Sequence, residues 1–303
     1  MSVVDSLYGH FVLPPALQQA IAHPIFQRLS HIAQLGLSML SPGSAMLRHT
    51  RAEHCKGVAY LTGVVAVALK LNPEETLLAQ MAGLLHDVGH GPFSHVFENV
   101  SPIRHEERSQ ELAQVILSDI WSPEWIATVC YLIDPNGLPP NDQAQKLQDL
   151  VANKRCHVDI DKLDYLLRDS YYAGIPFVPV ARVVEFFYHS RLTDGRWEFH
   201  ESQRGFLRLL FEHRTLMFER IYHHPVNKIL EEQLTKAAKQ LTINFQDQTT
   251  FLAHTDATFL AVIAETSAGQ TLLRGYCDNL TIQPSIPDPQ AFATVLPSIP
   301  FYI

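Results

Sequence analysis

Cysteine is scarce in this chain, with four among 303 residues: Cys55, Cys130, Cys156 and Cys277. No two of them have the C-x-x-C spacing of a zinc or redox site. This pattern excludes a disulfide-stapled framework and a cysteine zinc cage. Scattered thiols are typical of reduced cytosolic proteins, so we expect a cytoplasmic location.

Long apolar runs and basic runs are also missing. A bilayer-spanning helix needs about 20 apolar residues, whereas stretches such as Val64 to Leu69 are far shorter. The N-terminus has neither the basic nor the apolar segment of a signal peptide. The net charge of -8 disfavours sequence-indifferent nucleic-acid binding, although a local basic pocket for phosphates stays open. We therefore expect a soluble protein with no membrane partner and no strong nucleic-acid interaction.

Helix signals dominate what is present. Apolar residues recur at three- and four-residue spacing along most of the chain. The only clear strand signal is a hairpin near 192–199 on the turn Asp194-Gly195. The sequence predicts an all-α helical bundle with that small hairpin insertion. Helices are predicted from Thr50, Pro73, Ser101 and Ser122, over 143–153, 159–170 and 256–265, and over 202–241 with a break at Pro225.

The predicted domain organisation is a catalytic core over 1–241 and a C-terminal extension over 242–303. The extension is expected to be helical and irregular and to pack on the core. Its end, after Ile282, is rich in proline and is predicted to run over the surface.

The most informative motif is the adjacent pair His86-Asp87, which lies where a predicted helix ends before Gly89 and Pro92. Adjacent side chains diverge on a helix, but at its end both can turn towards one cation. His54 and Asp161, from two other predicted helices, are candidate partners. Two imidazoles and two carboxylates form a reasonable set of ligands for a divalent metal, with Mn, Fe, Zn, Ni and Mg all open.

Spacing alone leaves a second interpretation open. Asp161 belongs to the series Asp159, Asp161, Asp164 and Asp169, which could be a solvated helix face. The chain has 16 histidines, and a single histidine is more often a structural residue than a ligand. Patterning therefore does not decide between a metal site and ordinary polar positions.

A resemblance to a known family favours the metal site. The order His, His-Asp, Asp, with Gly89 to His95 following the central pair, resembles the HD-domain phosphohydrolase superfamily. Within it, the chain is similar to the deoxynucleoside triphosphate triphosphohydrolases. The similar segments are Phe26 to Leu29, Gln34 to Gly36, Arg51 to His54, Ala82 to Glu98, Asn153 to Asp169 and Arg214 to Tyr222.

The resemblance implies roles for particular residues. His54, His86, Asp87 and Asp161 resemble the metal ligands of the family, and His105 with Glu98 resembles its catalytic pair. A histidine near the scissile phosphate can protonate the leaving oxygen, and a carboxylate can orient it. The implied substrate-binding residues are Gln34, Leu35, Arg51, His90, His95, Lys162, Tyr165, Asp169, Arg214 and Tyr222.

Some positions depart from the family pattern. In the branch that also carries a SAM domain, an activator nucleotide binds at positions that resemble Met1, Ala22 and Ser30 here, and these residues do not fit that role. His223 takes the place of an amide beside the base, so base preference is not transferred. The resemblance does imply a homo-oligomer.

The leading hypothesis is a metal-dependent phosphohydrolase that cleaves deoxynucleoside triphosphates into deoxynucleoside and triphosphate. One alternative is an HD-type phosphodiesterase or nucleotidase acting on another phosphate ester. The other is a catalytically silent nucleotide-binding regulator.

Overall fold

The computed structural model describes residues 2–40, 46–277 and 301–302. The predicted all-α class is confirmed, because helices form most of the structure and the strands are short. The helices are α1 Pro15–Ala22, α2 Pro24–Gln27, α3 Arg51–Ala68, α4 Pro73–Leu85, α5 His105–Leu117, α6 Pro123–Ile133, α7 Asp142–Leu147, α8 Ile160–Ala173, α9 Val180–Tyr188, α10 Arg204–Met217, α11 Pro225–Ala238, α12 Gln248–Leu252, α13 Asp256–Ile263 and α14 Ser267–Cys277. Turns of 3-10 helix cover Arg28–His31, Gly36–Leu40, Ser94–Asn99 and Glu201–Gln203, and Phe218–Tyr222 is a π-helix.

The strands form two small sheets. Strands β1 Ser2–Asp5 and β2 Gly9–Val12 pair antiparallel, with Ser2 opposite Val12. Strands β3 Ser190–Thr193 and β4 Arg196–His200 form the predicted hairpin. Asp194 and Gly195 both have positive φ, as a two-residue hairpin turn requires. Strand β5 Phe301–Tyr302 pairs in parallel with β4.

Helices α3 and α4 are fixed at their first residues by side chains. Thr50 and Glu53 form a capping box at α3, and Asn72 and Glu75 form another at α4. Each box satisfies backbone amides that have no partner within the helix. The two helices pack against each other through the buried core, and α8 packs on α3. This arrangement brings the N-terminal turns of α3 and α8 to the C-terminal end of α4.

Three local predictions were wrong. The helix predicted over 143–153 ends at Leu147, because Asp149 and Asn153 bond to backbone amides of Trp197 and Cys156 instead of leaving the chain helical. The helix predicted from Ser101 begins at His105, since the Ser101 hydroxyl accepts the amide of Ile103. The β1–β2 hairpin was not predicted, because its strands are only four residues long.

The break predicted at Pro225 is confirmed, and this proline is the first residue of α11. Helices α13 and α14 pack against α11. The predicted surface course of the tail falls on 278–300, outside the described residues, and the division at 241 stays a prediction. None of the helices in the described part of the chain is long and apolar enough to span a membrane.

Candidate active site

Four side chains that sequence analysis predicts as metal ligands converge from three helices. His54 lies in the first turn of α3, His86 and Asp87 follow the last residue of α4, and Asp161 is the second residue of α8. His54 Nε2 lies 3.2 Å from His86 Nε2 and 3.0 Å from Asp161 Oδ1. Asp87 approaches His54 Nε2 at 3.6 Å and His86 Nε2 at 3.4 Å. Ligands about 2.1 Å from a shared ion lie about 3.0 to 3.4 Å apart, so these separations fit a divalent cation.

Hydrogen bonds on the far side of each imidazole fix its tautomer. His54 Nδ1 lies 2.8 Å from Asp164 Oδ2, and His86 Nδ1 lies 2.9 Å from the carbonyl oxygen of Gly83. Both partners only accept, so each Nδ1 carries a proton and donates it. When both imidazoles are neutral, each Nε2 therefore has a lone pair and no proton, and both lone pairs face the carboxylates of Asp87 and Asp161. Such a group of acceptors fits a metal ion, and the bonds to Nδ1 orient the rings for it.

Asp164 belongs to a buried polar network behind His54. It accepts Nε of Arg168 at 2.9 Å, Nη2 of Arg168 at 3.0 Å and the hydroxyl of Tyr8 at 2.8 Å. Arg168 also donates to Asp5 at 2.9 Å, so the N-terminal hairpin shares this network. The guanidinium and carboxylate fit here because Gly57 on α3 has no side chain.

Electrostatics in the cluster reflect closely spaced acids and bases. Burial lowers the pKa of His54, but the hydrogen bonds that its ring donates to Asp161 and Asp164 outweigh burial and raise that pKa to about 10. Burial opposes ionisation of Asp87, yet His86 and Arg51 hold its pKa well below the usual range. Without a cation, the imidazoles therefore keep protons that a metal ion must displace on binding.

Arg51 connects the cluster to the neighbouring loops. Its Nη1 donates to Asp87 at 2.5 Å, its Nε to the Ser94 hydroxyl at 2.9 Å and its Nη2 to the carbonyl of Gln34 at 3.1 Å. Ser94 in turn donates to the carbonyl of Ala33 at 2.6 Å. The guanidinium is thus held in one orientation at the edge of the site.

The predicted catalytic pair lies in a second group of titratable side chains. Glu98 Oε1 makes a short hydrogen bond to His105 Nδ1 and lies 3.1 Å from His95 Nδ1. Burial opposes ionisation of Glu98, but both histidines hold its pKa far below the usual range. His90 stacks on the ring of His105 with centroids 4.0 Å apart, and burial lowers the pKa of His90. His90 Nε2 lies 3.3 Å from Asp87, which brings this histidine cluster against the first group.

A cavity of about 430 Å³ opens beside both groups. Among the predicted residues, it is lined by Gln34, Leu35, Arg51, Asp87, His95, His105, Asp161, Tyr165, Asp169 and Tyr222. The other predicted residues are not among those that line it: Glu98, His54, His86, His90, Lys162 and Arg214. The lining also includes His223, which was expected beside the base, and four residues that were not predicted at the site: Phe93, Ser94, Phe218 and Glu231.

Two of the predicted cationic residues have contacts that bear on their availability. Lys162 donates to Asp159 at 2.6 Å. Burial lowers the pKa of Lys162, but the charges of Asp159 and Asp161 together outweigh burial, so the pKa lies above its usual value. Arg214 lies over the ring of Phe218 at 5.5 Å, and its Nε has no hydrogen-bond partner among the described residues. Its positive charge acts on the nearby Tyr165, which lines the cavity.

Asp169 is held from both sides. His49 Nε2 lies 2.7 Å from its Oδ1, and the Tyr222 hydroxyl donates to its Oδ2 at 2.8 Å. The ring of His49 stacks on Tyr172 with centroids 4.4 Å apart. His49 was missed because nothing in its spacing distinguishes it from the other histidines. Each oxygen of Asp169 still has a free lone pair with which to accept from a ligand.

Comparisons with known proteins agree with this geometry. Residues 51–167 match the family described as HD domain, which takes in all four converging groups. The deoxynucleoside triphosphate triphosphohydrolase SAMHD1 of Danio rerio is 33% identical over 281 residues, covering 77% of this chain and 44% of the relative. Its homolog in Dictyostelium discoideum is 33% identical over 253 residues, covering 77% and 48%. An uncharacterised Bacillus subtilis protein, YwfO, is 33% identical over 232 residues, covering 71% and 50%.

The chain spans about half the length of the curated relatives it matches. The family match covers α3 to α8, where the converging imidazoles and carboxylates lie, and the similarity to the relatives extends over about three quarters of the chain. The chain belongs to the HD-domain phosphohydrolase superfamily.

Proposed function

We propose that this protein is a metal-dependent phosphohydrolase that cleaves deoxynucleoside triphosphates into deoxynucleoside and triphosphate. The observation that carries the proposal is the convergence of His54, His86, Asp87 and Asp161 beside a cavity large enough for a nucleotide. The side chain of Asp161 is 26% exposed, so the cluster is open on the cavity side.

The four groups would hold a divalent cation such as Mn, Fe, Zn, Ni or Mg. When bound, such an ion polarises a phosphoryl oxygen and lowers the pKa of a neighbouring water towards about 7. Arg51 lies beside Asp87 and supplies positive charge where negative charge grows during attack on phosphorus. Of the other predicted phosphate-binding residues, His95 lines the cavity and would hold a phosphate oxygen directly, whereas Arg214 and Lys162 would act through their charge and His90 through its contact with Asp87.

His105 is placed to serve the leaving group. It lines the cavity, and its Nδ1 is held by the Glu98 carboxylate. With Nδ1 bound to an acceptor, Nε2 is the atom that would give a proton to the departing sugar oxygen. Glu98 orients the ring and stabilises its protonated form.

Other lining residues would bind the sugar. Asp169 and Tyr222 share a hydrogen bond and both line the cavity, as does Gln34. These groups can bond a 3′-hydroxyl. The Leu35 side chain offers only apolar atoms to the cavity, and an apolar contact disfavours an added 2′-hydroxyl because that hydroxyl would lose its hydrogen bonds to water.

The test is turnover of all four dNTPs with Mn²⁺ or Mg²⁺ and separation of the products. We expect deoxynucleoside and triphosphate from the wild type. His105→Ala should lower kcat by about 10²- to 10⁴-fold, whereas His10→Ala, an exposed histidine on β2, should leave kcat unchanged. Release of pyrophosphate and monophosphate, or no turnover of any dNTP, would contradict the proposal.

One observation favours the phosphodiesterase or nucleotidase alternative. Arg51 is paired with Asp87 and Lys162 with Asp159, so part of the positive charge near the cavity is neutralised within the protein. A substrate with a single phosphate would need less positive charge in the site than a triphosphate. The variant Arg214→Ala distinguishes the triphosphohydrolase from this alternative. If the protein is a triphosphohydrolase, the variant should lose most dNTP hydrolysis but keep cleavage of bis(p-nitrophenyl) phosphate. Equal loss with both substrates would favour the alternative.

A catalytically silent nucleotide-binding regulator is distinguished by the same assays. It would retain metal and bind dNTPs without turnover under any condition.

A further inference from the structure

Asp256 brings the C-terminal part of the chain into contact with the active-site loops. It is the first residue of α13, well outside the segment that matches the HD domain. Its Oδ1 accepts the amide of Phe93 at 2.7 Å, and its Oδ2 accepts the amide of Ala33 at 2.8 Å. One carboxylate therefore ties together two loops that are 60 residues apart in sequence.

Both loops form walls of the cavity. Phe93 and Ser94 line it, and Ala33 directly precedes the lining residues Gln34 and Leu35. The loops are in close contact, because a side chain on Gly36 would come within 2.6 Å of the Phe93 carbonyl oxygen. Asp256 accepts one amide from each side of this contact.

The turn that Asp256 holds has an unfavourable backbone conformation. Phe93 and Ser94 both have φ of 59°, in the left-handed region that side chains with a Cβ rarely adopt. Such residues persist only where surrounding contacts hold them. The bond from the Phe93 amide to Asp256 is one such contact, and the bond from the Ser94 hydroxyl to the Ala33 carbonyl is another.

The bonds continue from this turn to the reacting centre. The Ser94 hydroxyl accepts Nε of Arg51, and Nη1 of Arg51 donates to Asp87. Arg28 strengthens the same junction, since it donates to the carbonyls of His254 and His90 and so joins the segment before α13 to the histidine cluster.

We propose that Asp256 is a positioning residue of the active site: by accepting the amides of Ala33 and Phe93 it sets Ser94 and, through Ser94, the orientation of Arg51. Asp256 touches none of the four cation-binding groups. Its loss therefore leaves metal binding intact while Arg51 loses its fixed orientation. The kinetic part of this inference rests on the proposed function.

The test compares Asp256→Asn with Asp247→Asn. Asp247 is a matched control because it caps the neighbouring helix α12 through Thr250 and is exposed. An asparagine at 256 keeps one acceptor oxygen but turns an NH₂ donor towards the second amide. Hydrogen exchange should become faster in peptides covering 32–36 and 91–96 of the Asp256→Asn variant only. Metal content should stay at the wild-type level.

In the dNTP assay, Asp256→Asn should lower kcat about 10- to 100-fold with KM within a few-fold of the wild type, since the arginine acts on charge that develops during reaction. Asp256→Glu keeps the charge but displaces the carboxylate, so it should restore neither the exchange protection nor kcat. Unchanged exchange at both loops, unchanged kcat, or full rescue by glutamate would each overturn the proposal.

The two proposals fail in different ways. If the wild type turns over no dNTP, the proposed function fails, and hydrogen exchange at 32–36 and 91–96 becomes the readout. Asp256→Asn should then still exchange faster in both segments while Asp247→Asn does not. Equal exchange in the two variants would overturn the positioning role.

Discussion

The four aspartates of α8 and its cap show how differently similar residues are used. Asp159 caps the helix and pairs with Lys162, Asp161 faces the cavity, Asp164 holds His54 and Arg168, and Asp169 bonds to His49 and Tyr222. Three of them are buried, so the solvated-face interpretation does not apply to them. Spacing predicted that Asp161 could meet His54 and His86. It could not predict the contact of Asp164 with His54 or those of Asp169 with His49 and Tyr222, because these depend on which parts of the chain pack against α8.

Removal of one carboxylate of the proposed metal site gives a prediction at this scale. Asp161→Asn keeps the side-chain volume but loses the charge that faces both imidazoles, so metal affinity should fall at least 10- to 100-fold. A saturating metal stabilises the wild type by about 3 kcal/mol at 100 times its Kd. We expect Mn²⁺ to raise the melting temperature of the wild type and of the exposed control Asp142→Asn, but not of Asp161→Asn. An equal metal-induced rise in all three proteins would falsify the role of Asp161.

At the scale of elements, most helices could be predicted from the sequence and some of their ends could not. Periodic apolar residues predicted α3 and α4, with starts placed at Thr50 and Pro73, and Pro225 predicted the break at which α11 begins. The π-helical turn Phe218–Tyr222 was not predicted, because a wider turn barely changes the apolar pattern. This turn carries both Phe218 and Tyr222 to the cavity wall.

The crossing of α3 and α8 gives a second prediction. A methyl group at Gly57 would overlap the Arg168 guanidinium and the Asp164 carboxylate, which lie behind His54. Gly57→Ala should therefore lower the free energy of unfolding by about 3 kcal/mol and weaken metal binding.

The matched control is Gly205→Ala in α10, where a methyl group meets no atom within 4 Å. That variant should change the free energy of unfolding by less than about 1 kcal/mol, in the stabilising direction. Urea unfolding and metal content measure both effects. Similar behaviour of the two variants would show that the α3–α8 contact is not tight.

At the scale of the whole molecule, the cavity is assembled from stretches far apart in sequence. Gln34, Arg51, Asp161 and Tyr222 belong to four separate parts of the chain, and Asp256 supports the wall from a fifth. The family resemblance placed most lining residues because their motifs are local. His49, Glu231 and Asp256 escaped prediction because each acts through a tertiary contact that leaves no pattern in its neighbours.

The ionisation of Asp256 gives a prediction for the stability of the whole fold. Burial raises its pKa to about 6, although the amides of Phe93 and Ala33 and the charges of Arg28 and Arg51 lower it. The folded protein thus binds this proton more tightly than the unfolded chain, whose aspartates have a pKa near 4. The stabilising contribution is complete below about pH 4 and is lost as the pH rises through about 6.

Asp256→Asn removes this titration. The stability of the wild type relative to the variant should therefore fall by about 3 kcal/mol between pH 4 and pH 7. Urea unfolding of both proteins at several pH values measures the difference. A difference that grows with pH would mean that the amide bonds, rather than burial, control the ionisation of Asp256.

The contact of Asp256, at the start of α13, with the loops around the cavity has a consequence for truncated forms of the protein. A fragment trimmed to 51–167 would still contain the whole HD-domain segment and all four side chains of the proposed metal site. It would lack the lining residues Gln34 and Tyr222 and the two hydrogen bonds of Asp256, so its cavity would be incomplete. The HD-domain segment by itself therefore contains the proposed metal ligands but not the complete substrate cavity.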